Sequence, residues 1–201
     1  MVAVPADQAT DRARRSRLSP EREGELYEAV VELLGKVGYD ALTMDAIAAR
    51  TRSSKATLYR QWGSKPTLVA SALRHVKPMS PQEIDTGSLR GDLHRLLRAT
   101  DEEMERDAAL LRGLARAAHD FPDLQQALRE LLIQPEICAL EVLLRRAVAR
   151  GEVAPDCPAL GYVPHMLCGA FISRPLIEGA LPDNAYLSAY IDAVILPALG
   201  A

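Results

Sequence analysis

Thr43-Met44-Asp45-Ala46-Ile47-Ala48-Ala49-Arg50-Thr51-Arg52-Ser53-Ser54-Lys55-Ala56-Thr57-Leu58-Tyr59-Arg60-Gln61-Trp62-Gly63-Ser64-Lys65 reads as two short helices with a tight turn between them. Thr43 offers a hydroxyl ahead of Met44–Arg50, and Ser53 or Ser54 offers one ahead of Lys55–Trp62. Such hydroxyls accept a hydrogen bond from an otherwise unpaired N–H of the first turn. Gly63 stops the second helix. Ser64 caps a third, in which Pro66 falls in the tolerant first turn and which extends to about Lys77, before Pro78. Ile47, Leu58 and Trp62 supply a small apolar core beneath the pair. Two short helices joined by about three residues and braced by longer ones form a helix-turn-helix arrangement.

Upstream, Ser19-Pro20-Glu21 starts a longer helix with a capping hydroxyl, a proline at the first position and an acid near the positive end of the dipole. Leu26, Val30, Leu33, Leu34 and Val37 make its apolar stripe, and Gly38 ends it as a left-handed cap. Residues 1–18 are polar and Arg-rich without a periodic face, and read as a flexible basic arm. Downstream, residues 78–87 read as a linker. Ser88 opens a helix with Leu89, Leu93, Leu96, Leu97 and Met104 on its apolar face. Further helical patterns run from about Ala108 to His119, from Asp120-Phe121-Pro122 to Arg150, from Pro158 to about Glu178, and from an Asp183 cap through Asn184–Leu199. Pro135 is expected to kink or split the second of these, and Pro164 and Pro175 to bend the third. No stretch sustains an alternation of period two, and only 4% of residues are aromatic. The expected fold is therefore all-α, with about nine helices.

With 48% hydrophobic and 25% charged residues, the 201-residue chain is neither disordered nor fibrous in composition. No apolar run approaches the roughly 20 residues that span a bilayer. The polar start of the chain lacks the apolar region of a secretory signal. Cys138, Cys157 and Cys168 are an odd number without framework spacing, as expected for free thiols in a reducing, cytoplasmic compartment. A net charge of −3 argues at first against a polyanionic partner, but the charge is uneven. Residues 1–77 hold 13 Lys/Arg against 9 Asp/Glu, a net of +4, and residues 78–201 hold 11 against 18, a net of −7. No acid occurs between Asp45 and Glu83, whereas Arg50, Arg52, Lys55, Arg60, Lys65, Arg74 and Lys77 lie in that gap. A basic head on an acidic body is the asymmetry of a nucleic-acid reader.

The chemistry of the opening segment fits that reading. Lys55, Ala56 and Thr57 are small or flexible residues at the start of the second helix, the end that reaches base edges in a major groove. Thr43, Tyr59 and Lys65 are hydroxyl or ammonium donors at helix ends, suited to phosphate oxygens. These residues also carry a resemblance. Thr-x-x-x-Ile-Ala through Thr-Leu-Tyr-x-x-Trp-x-Ser-Lys, within residues 20–76, resembles the TetR family of transcriptional regulators. The resemblance implies a three-helix DNA-binding head over residues 19–66 and a ligand-binding and dimerising body over 67–201. By position it places Lys55, Ala56, Thr57 and Gln61 toward bases or their backbone, and Thr43, Tyr59 and Lys65 on phosphates; Ser54 and Arg52 join the same DNA-binding set. Arg12, Arg14, Arg15 and Arg17 match the basic arm that some members lay in a minor groove. The chain departs from the family pattern in the turn, where Thr51-Arg52-Ser53 replaces the usual Ala-Gly-Val. Keeping a left-handed conformation without glycine costs on the order of 1 kcal/mol. Arg52 in return offers a guanidinium to a phosphate.

For the body, the resemblance implies a homodimer through the last two helices. Tyr186, Tyr190, Ile191 and Val194 belong to an apolar stripe wider than one core-facing side requires, which makes them candidates for the shared face. A two-fold dimer in turn implies a palindromic DNA operator. Met104, Phe121, Met166 and Phe171 are adaptable or aromatic residues suited to an effector cavity. The expected function is a ligand-responsive, sequence-specific regulator, a repressor released by a small molecule, with no cofactor, no metal and no membrane partner. Two alternatives remain. One is a helical small-molecule binder or enzyme that has lost DNA binding, motivated by Arg52. The other is a metal- or redox-responsive regulator using His165 with Cys138, Cys157 and Cys168. His75, His94 and His119 stand isolated. The sequence carries no phosphate-cradling glycine loop and no serine nucleophile motif, so catalysis is not expected.

Overall fold

A computed structural model describes residues 18–76, 83–97, 110 and 113–201. The expectations for Arg12, Arg14, Arg15, Arg17 and Met104 lie outside the described residues. The chain forms two compact units that divide between Val76 and Lys77.

The first unit is four helices: α1 (Pro20–Ala41), α2 (Met44–Thr51), α3 (Lys55–Trp62) and α4 (Lys65–His75). Local chemistry starts each one. The side-chain oxygens of Ser19, Thr43, Ser54 and Ser64 accept from the N–H groups of Arg22, Ala46, Thr57 and Thr67. Ser54, not Ser53, is therefore the cap of α3. The α1 run breaks at Gly38, whose φ of 74° and ψ of 169° only glycine adopts readily. Beyond it a last turn swings Tyr39 and Leu42 into the core. Leu26, Val30 and Leu34 of α1 are buried as expected, but Val37 is 48% exposed. The break begins immediately after Val37, so Tyr39 takes the core position that the helical stripe would have given it. Ile47, Leu58 and Trp62 are buried with Leu68, Val69 and Ala72 of α4.

The second unit, among its described residues, contains α5 (Leu89–Leu96), α6 (113–120), α7 (122–149), α8 (Val163–Ile177) and α9 (184–199). A short 3₁₀ turn, Pro158–Tyr162, precedes α8. No described residue is in a strand. α7 is a continuous run of Pro122–Leu128, a wide π-type turn Arg129–Ile133, and Gln134–Ala149. α9 repeats the pattern with Asn184–Tyr190, Ile191–Ile195 and Leu196–Leu199. In each wide turn the residue just before a proline donates five residues back: Gln134 to the Arg129 carbonyl before Pro135, and Leu196 to the Ile191 carbonyl before Pro197. A proline has no N–H and its ring crowds the carbonyl four residues earlier, so widening the preceding turn relieves both problems without ending the helix. Pro135 therefore neither splits nor terminates its helix. Pro164 falls in the first turn of α8, where no bend is needed, and Pro175 lies near its end.

The core of this unit joins Leu89 and Leu93 of α5, Leu140, Leu143 and Leu144 of α7, Val163 and Leu167 of α8, and Ile191, Ile195 and Leu199 of α9. A polar knot fixes its edge. Asp92, fully buried, accepts from the N–H and Oγ1 of Thr86 at 2.7 and 2.8 Å and from Arg150 at 3.2 Å. Glu152 caps the N–H of Leu89. Gly91 follows from this knot, since a Cβ there would collide with Thr86 Oγ1.

Candidate nucleic-acid interface

The start of α3 is presented to solvent: Ser54, Lys55 and Ala56 are exposed, and Thr57 is half-buried. Its hidden side explains the posture. Leu58 is sealed in the core, and Trp62 is 9% exposed, with its Nε1–H donating to Tyr27 Oη at 3.1 Å. The Tyr27 hydroxyl donates in turn to Glu23 Oε1 at 2.7 Å. The two rings meet edge to face, and His75 at the end of α4 lies against Tyr27 with ring centroids 5.0 Å apart. Burial and the Glu23 hydrogen bond push the Tyr27 phenol up to about 12, against a smaller lowering by Trp62. This buried chain fixes α3 on α1 and α4.

The turn before α3 keeps the left-handed conformation without glycine. Arg52 has φ 50° and ψ 37°, the one positive-φ residue other than glycine among those described. The Arg52 and Ser53 N–H groups satisfy the last carbonyls of α2, at Ala49 and Ala48. The strain, on the order of 1 kcal/mol, is offset by outside ties. Arg22 of α1 donates to the Thr51 carbonyl, and Thr51 Oγ1 to the Ile47 carbonyl at 2.8 Å. Arg50 pairs with Glu32 at 2.7 Å. The side chain of Arg52 is exposed on the rim of the turn.

The remaining expected contacts divide by availability. Thr43 is exposed, and its oxygen already accepts from Ala46; its hydrogen is the part left for a phosphate. Tyr59 is 46% exposed. Thr57 Oγ1 shares a hydrogen bond with Ser54 Oγ at 2.8 Å. Gln61 is half-buried, its Oε1 enclosed without a hydrogen-bond donor. Lys65 is more occupied than its sequence position suggested. Its ammonium donates to the carbonyls of Tyr39 and Leu42 at 3.0 and 2.9 Å and sits 4.1 Å over the Tyr39 ring. Burial draws its pKa down. Two of its three protons thus hold the α1–α2 turn, and one is left for an anion. Lys55 is bound across the motif to Asp45 at 2.8 Å, which raises its pKa. That pairing is not legible from the sequence, because helical periodicity does not carry across a turn.

In the second unit, Phe121 forms the non-helical start of α7. Met166 packs against the main core, and Phe171 against Ala170 and Leu187. Two cavities of about 370 Å³ lie elsewhere. One is bounded by Leu140, Leu144, Leu160 and Pro164, the other by His94, Leu97, Leu187 and Ile191. His94 is not isolated, since its Nε2 lies 3.0 Å from Asp192. Of the residues expected on a subunit face, Tyr186 and Tyr190 are half-buried and Val194 is exposed. Ile191 is a correction: at 1% exposure it belongs to the core of its own subunit and cannot meet a partner. Ile172, Leu176 and Ile177 of α8 are also exposed apolar residues, which helical periodicity alone does not distinguish from core. Cys138 and Cys168 are exposed, Cys157 is half-buried, and no group of three potential metal ligands occurs among the described residues. No described helix is long and apolar enough to cross a membrane.

Known proteins share both units. Residues 26–72 match the family model described as bacterial regulatory proteins, tetR family, and residues 83–194 match that of the tetracyclin repressor-like C-terminal domain. An uncharacterised HTH-type transcriptional regulator of Mycobacterium bovis is 35% identical over 198 residues, covering 98% of this chain and 96% of its own. A DNA-binding transcriptional repressor, TetR, of Mycobacteroides abscessus is 32% identical over 181 residues, covering 87% and 92%. The crystal structure of a TetR family transcription regulator superposes with a TM-score of 0.70 at 32% identity, covering 89% of this chain and 98% of that one. The exposed start of α3, the braced turn before it and these matches over both units establish that the chain belongs to the TetR family of helix-turn-helix transcriptional regulators.

Proposed function

We propose that the chain is a repressor that holds a palindromic DNA operator as a homodimer and releases it when a small molecule binds the body. Residues 19–66 read DNA, and residues 67–201 hold the effector and the partner subunit. The observation that carries this reading is the solvent-facing first turn of α3, Ser54 to Thr57, on a helix whose other side is sealed by Leu58 and Trp62. Lys55, Ala56, Thr57 and Gln61 face base edges. Thr43, Ser54, Tyr59, the third proton of Lys65 and the guanidinium of Arg52 face phosphates. Lys55 exchanges Asp45 for the DNA as it docks.

Exposed apolar residues on α8 and α9 (Ile172, Leu176 and Val194) favour a partner helix pair over solvent. A two-fold dimer reads half-sites about 34–36 Å apart. Effector binding favours one conformation of the body and shifts the population away from the DNA-competent spacing of the two heads. The experiment is a gel shift with the DNA flanking the chain's own gene. Salt-sensitive binding that resists nonspecific competitor is the expected result, and its absence refutes the proposal. Tyr59→Phe should weaken binding to all sequences alike, whereas Thr57→Ala should also alter sequence preference.

A further inference from the structure

We infer that the first turn of α3 reads a guanine beside a thymine in each operator half-site. The Lys55 ammonium meets guanine N7 and O6, and the methyl groups of Ala56 and Thr57 meet the thymine 5-methyl. The inference rests on the DNA-reading proposal above and gives its operator a base composition.

The hydroxyls of this turn are already committed. Ser54 Oγ accepts the Thr57 N–H at 3.0 Å and lies 2.8 Å from Thr57 Oγ1. Whichever hydroxyl donates, the pair keeps a single hydrogen for an outside acceptor. In the docking proposed above that hydrogen belongs to Ser54 and goes to a phosphate. The Thr57 hydroxyl then points to Ser54, and what Thr57 offers a base is its methyl group. Ala56 is exposed and offers only a methyl. Among the four bases, thymine alone presents a methyl group in the major groove.

Lys55 is the one charged side chain of Ser54–Thr57. Its ammonium has three N–H donors and no acceptor. Guanine alone presents two neighbouring acceptors in the major groove. Adenine N7 adjoins an N6 amine, cytosine presents an amine, and thymine a single O4. In the free chain the ammonium is held by the Asp45 carboxylate at 2.8 Å. Two acceptors of one guanine are the nearest match a base edge provides for the carboxylate that Lys55 leaves.

The rest of α3 lacks the side chains for the other two bases. Bidentate reading of adenine needs an amide that presents its oxygen and its amine together. Gln61 is the one amide of α3, and one end of it, Oε1, is enclosed. An acid would be needed to accept from the cytosine amine, and Lys55–Trp62 contains none.

The test begins with duplexes that the full chain selects from a randomised pool. Each half-site should hold a G·C pair adjoining an A·T pair. Base analogues are then placed in the selected operator, and affinities are measured by gel shift at low salt, where weakened variants still bind. At that guanine, 7-deazaguanine, which replaces N7 by carbon, should weaken the parent about fivefold or more. Uracil for that thymine, which removes only the 5-methyl group, should weaken it about threefold. Lys55→Met should lose the sensitivity to 7-deazaguanine, and Lys55→Arg should keep it. Thr57→Val exchanges the hydroxyl for a methyl and should keep the preference for thymine over uracil. The double variant Ala56→Gly, Thr57→Ala should lose that preference. Circular dichroism melting shows that each variant is folded. Selected half-sites without the guanine and thymine, indifference of the parent to either analogue, 7-deazaguanine sensitivity that survives in Lys55→Met, or loss of the thymine preference in Thr57→Val overturns the inference. A parent chain that selects no sequence from the pool is a separate result and refutes the DNA-reading proposal instead.

Discussion

Tyr27→Phe isolates one hydroxyl at the base of the recognition helix. The phenyl ring keeps the edge-to-face contact with Trp62 and the contact with His75, so apolar burial is nearly unchanged. The hydroxyl carries two hydrogen bonds, one from Trp62 Nε1 at 3.1 Å and one to Glu23 at 2.7 Å. Glu23 is half-buried, and water can replace the bond it loses. The Trp62 N–H is enclosed and has no substitute. A buried donor left unpaired costs about 1–3 kcal/mol, and the variant recovers part of that by no longer burying a hydroxyl. The expected loss is about 1–2 kcal/mol. With a urea slope near 1 kcal/mol/M for a unit this small, the midpoint should fall by about 1–2 M. Trp62 is the single tryptophan of the chain, so fluorescence reports this transition alone. The phenol also supplies a pH signature. Its pKa is pushed up to about 12 in the folded chain, from an ordinary value near 10. Stability linked to the neutral hydroxyl is complete below about pH 10 and is lost as pH climbs through about 12, so parent and variant should converge across that window. A midpoint unchanged to within about 0.2 M, or a gap between parent and variant that does not narrow with pH, refutes the reasoning.

Three further outcomes are expected. Arg52→Gly relieves the left-handed strain and should raise the stability of the first unit by about 0.5–1 kcal/mol, read by the same urea titration. If Arg52 also meets a phosphate, the same change should reduce the salt dependence of operator binding by about one counterion. Asp45→Asn frees Lys55 and removes an anion from the DNA side; operator affinity should rise roughly two- to threefold at low salt, with the gain shrinking as salt is added. Equal affinity at all salt concentrations would show that Asp45 does not compete with DNA. Asp92→Ala leaves Thr86 and Arg150 without their buried carboxylate and should destabilise the second unit by about 3–5 kcal/mol, measured by far-ultraviolet circular dichroism with the Trp62 transition as internal reference.

What the sequence disclosed was mostly local chemistry. Ser19, Thr43, Ser64, Ser88 and Asp183 cap the helices expected of them, because a cap needs only a side chain and an N–H three residues on. Ile47, Leu58 and Trp62 were legible as core because their spacing matches one helical face. Tertiary pairings were not legible. Lys65 was read as a phosphate donor from its place at a helix start, but carbonyls of Tyr39 and Leu42, more than twenty positions earlier, hold two of its protons. His94 looked isolated because Asp192 lies on another helix. Ile191 was assigned to a partner because a wide apolar stripe does not say which side is already taken by its own subunit. The prolines were read as interruptions, although two of them are absorbed by widening the turn before them.

That last feature bears on how such a chain can change length. A wide turn takes up one residue more than an α-helical turn while adding almost no rise, so the helix beyond it is re-phased by about 100°. Arg129–Ile133 and Ile191–Ile195 are therefore places where residue number and core position are decoupled. A relative with alanine for Pro197 could drop one residue from Ile191–Ile195 and still bring Leu196 and Leu199 to the same side of the core. A residue lost elsewhere in the helix would turn both outward. Aligned by core position, such a relative shows a gap in mid-helix, where gaps otherwise signal an error, and the gap marks the turn that presents Asp192 to His94.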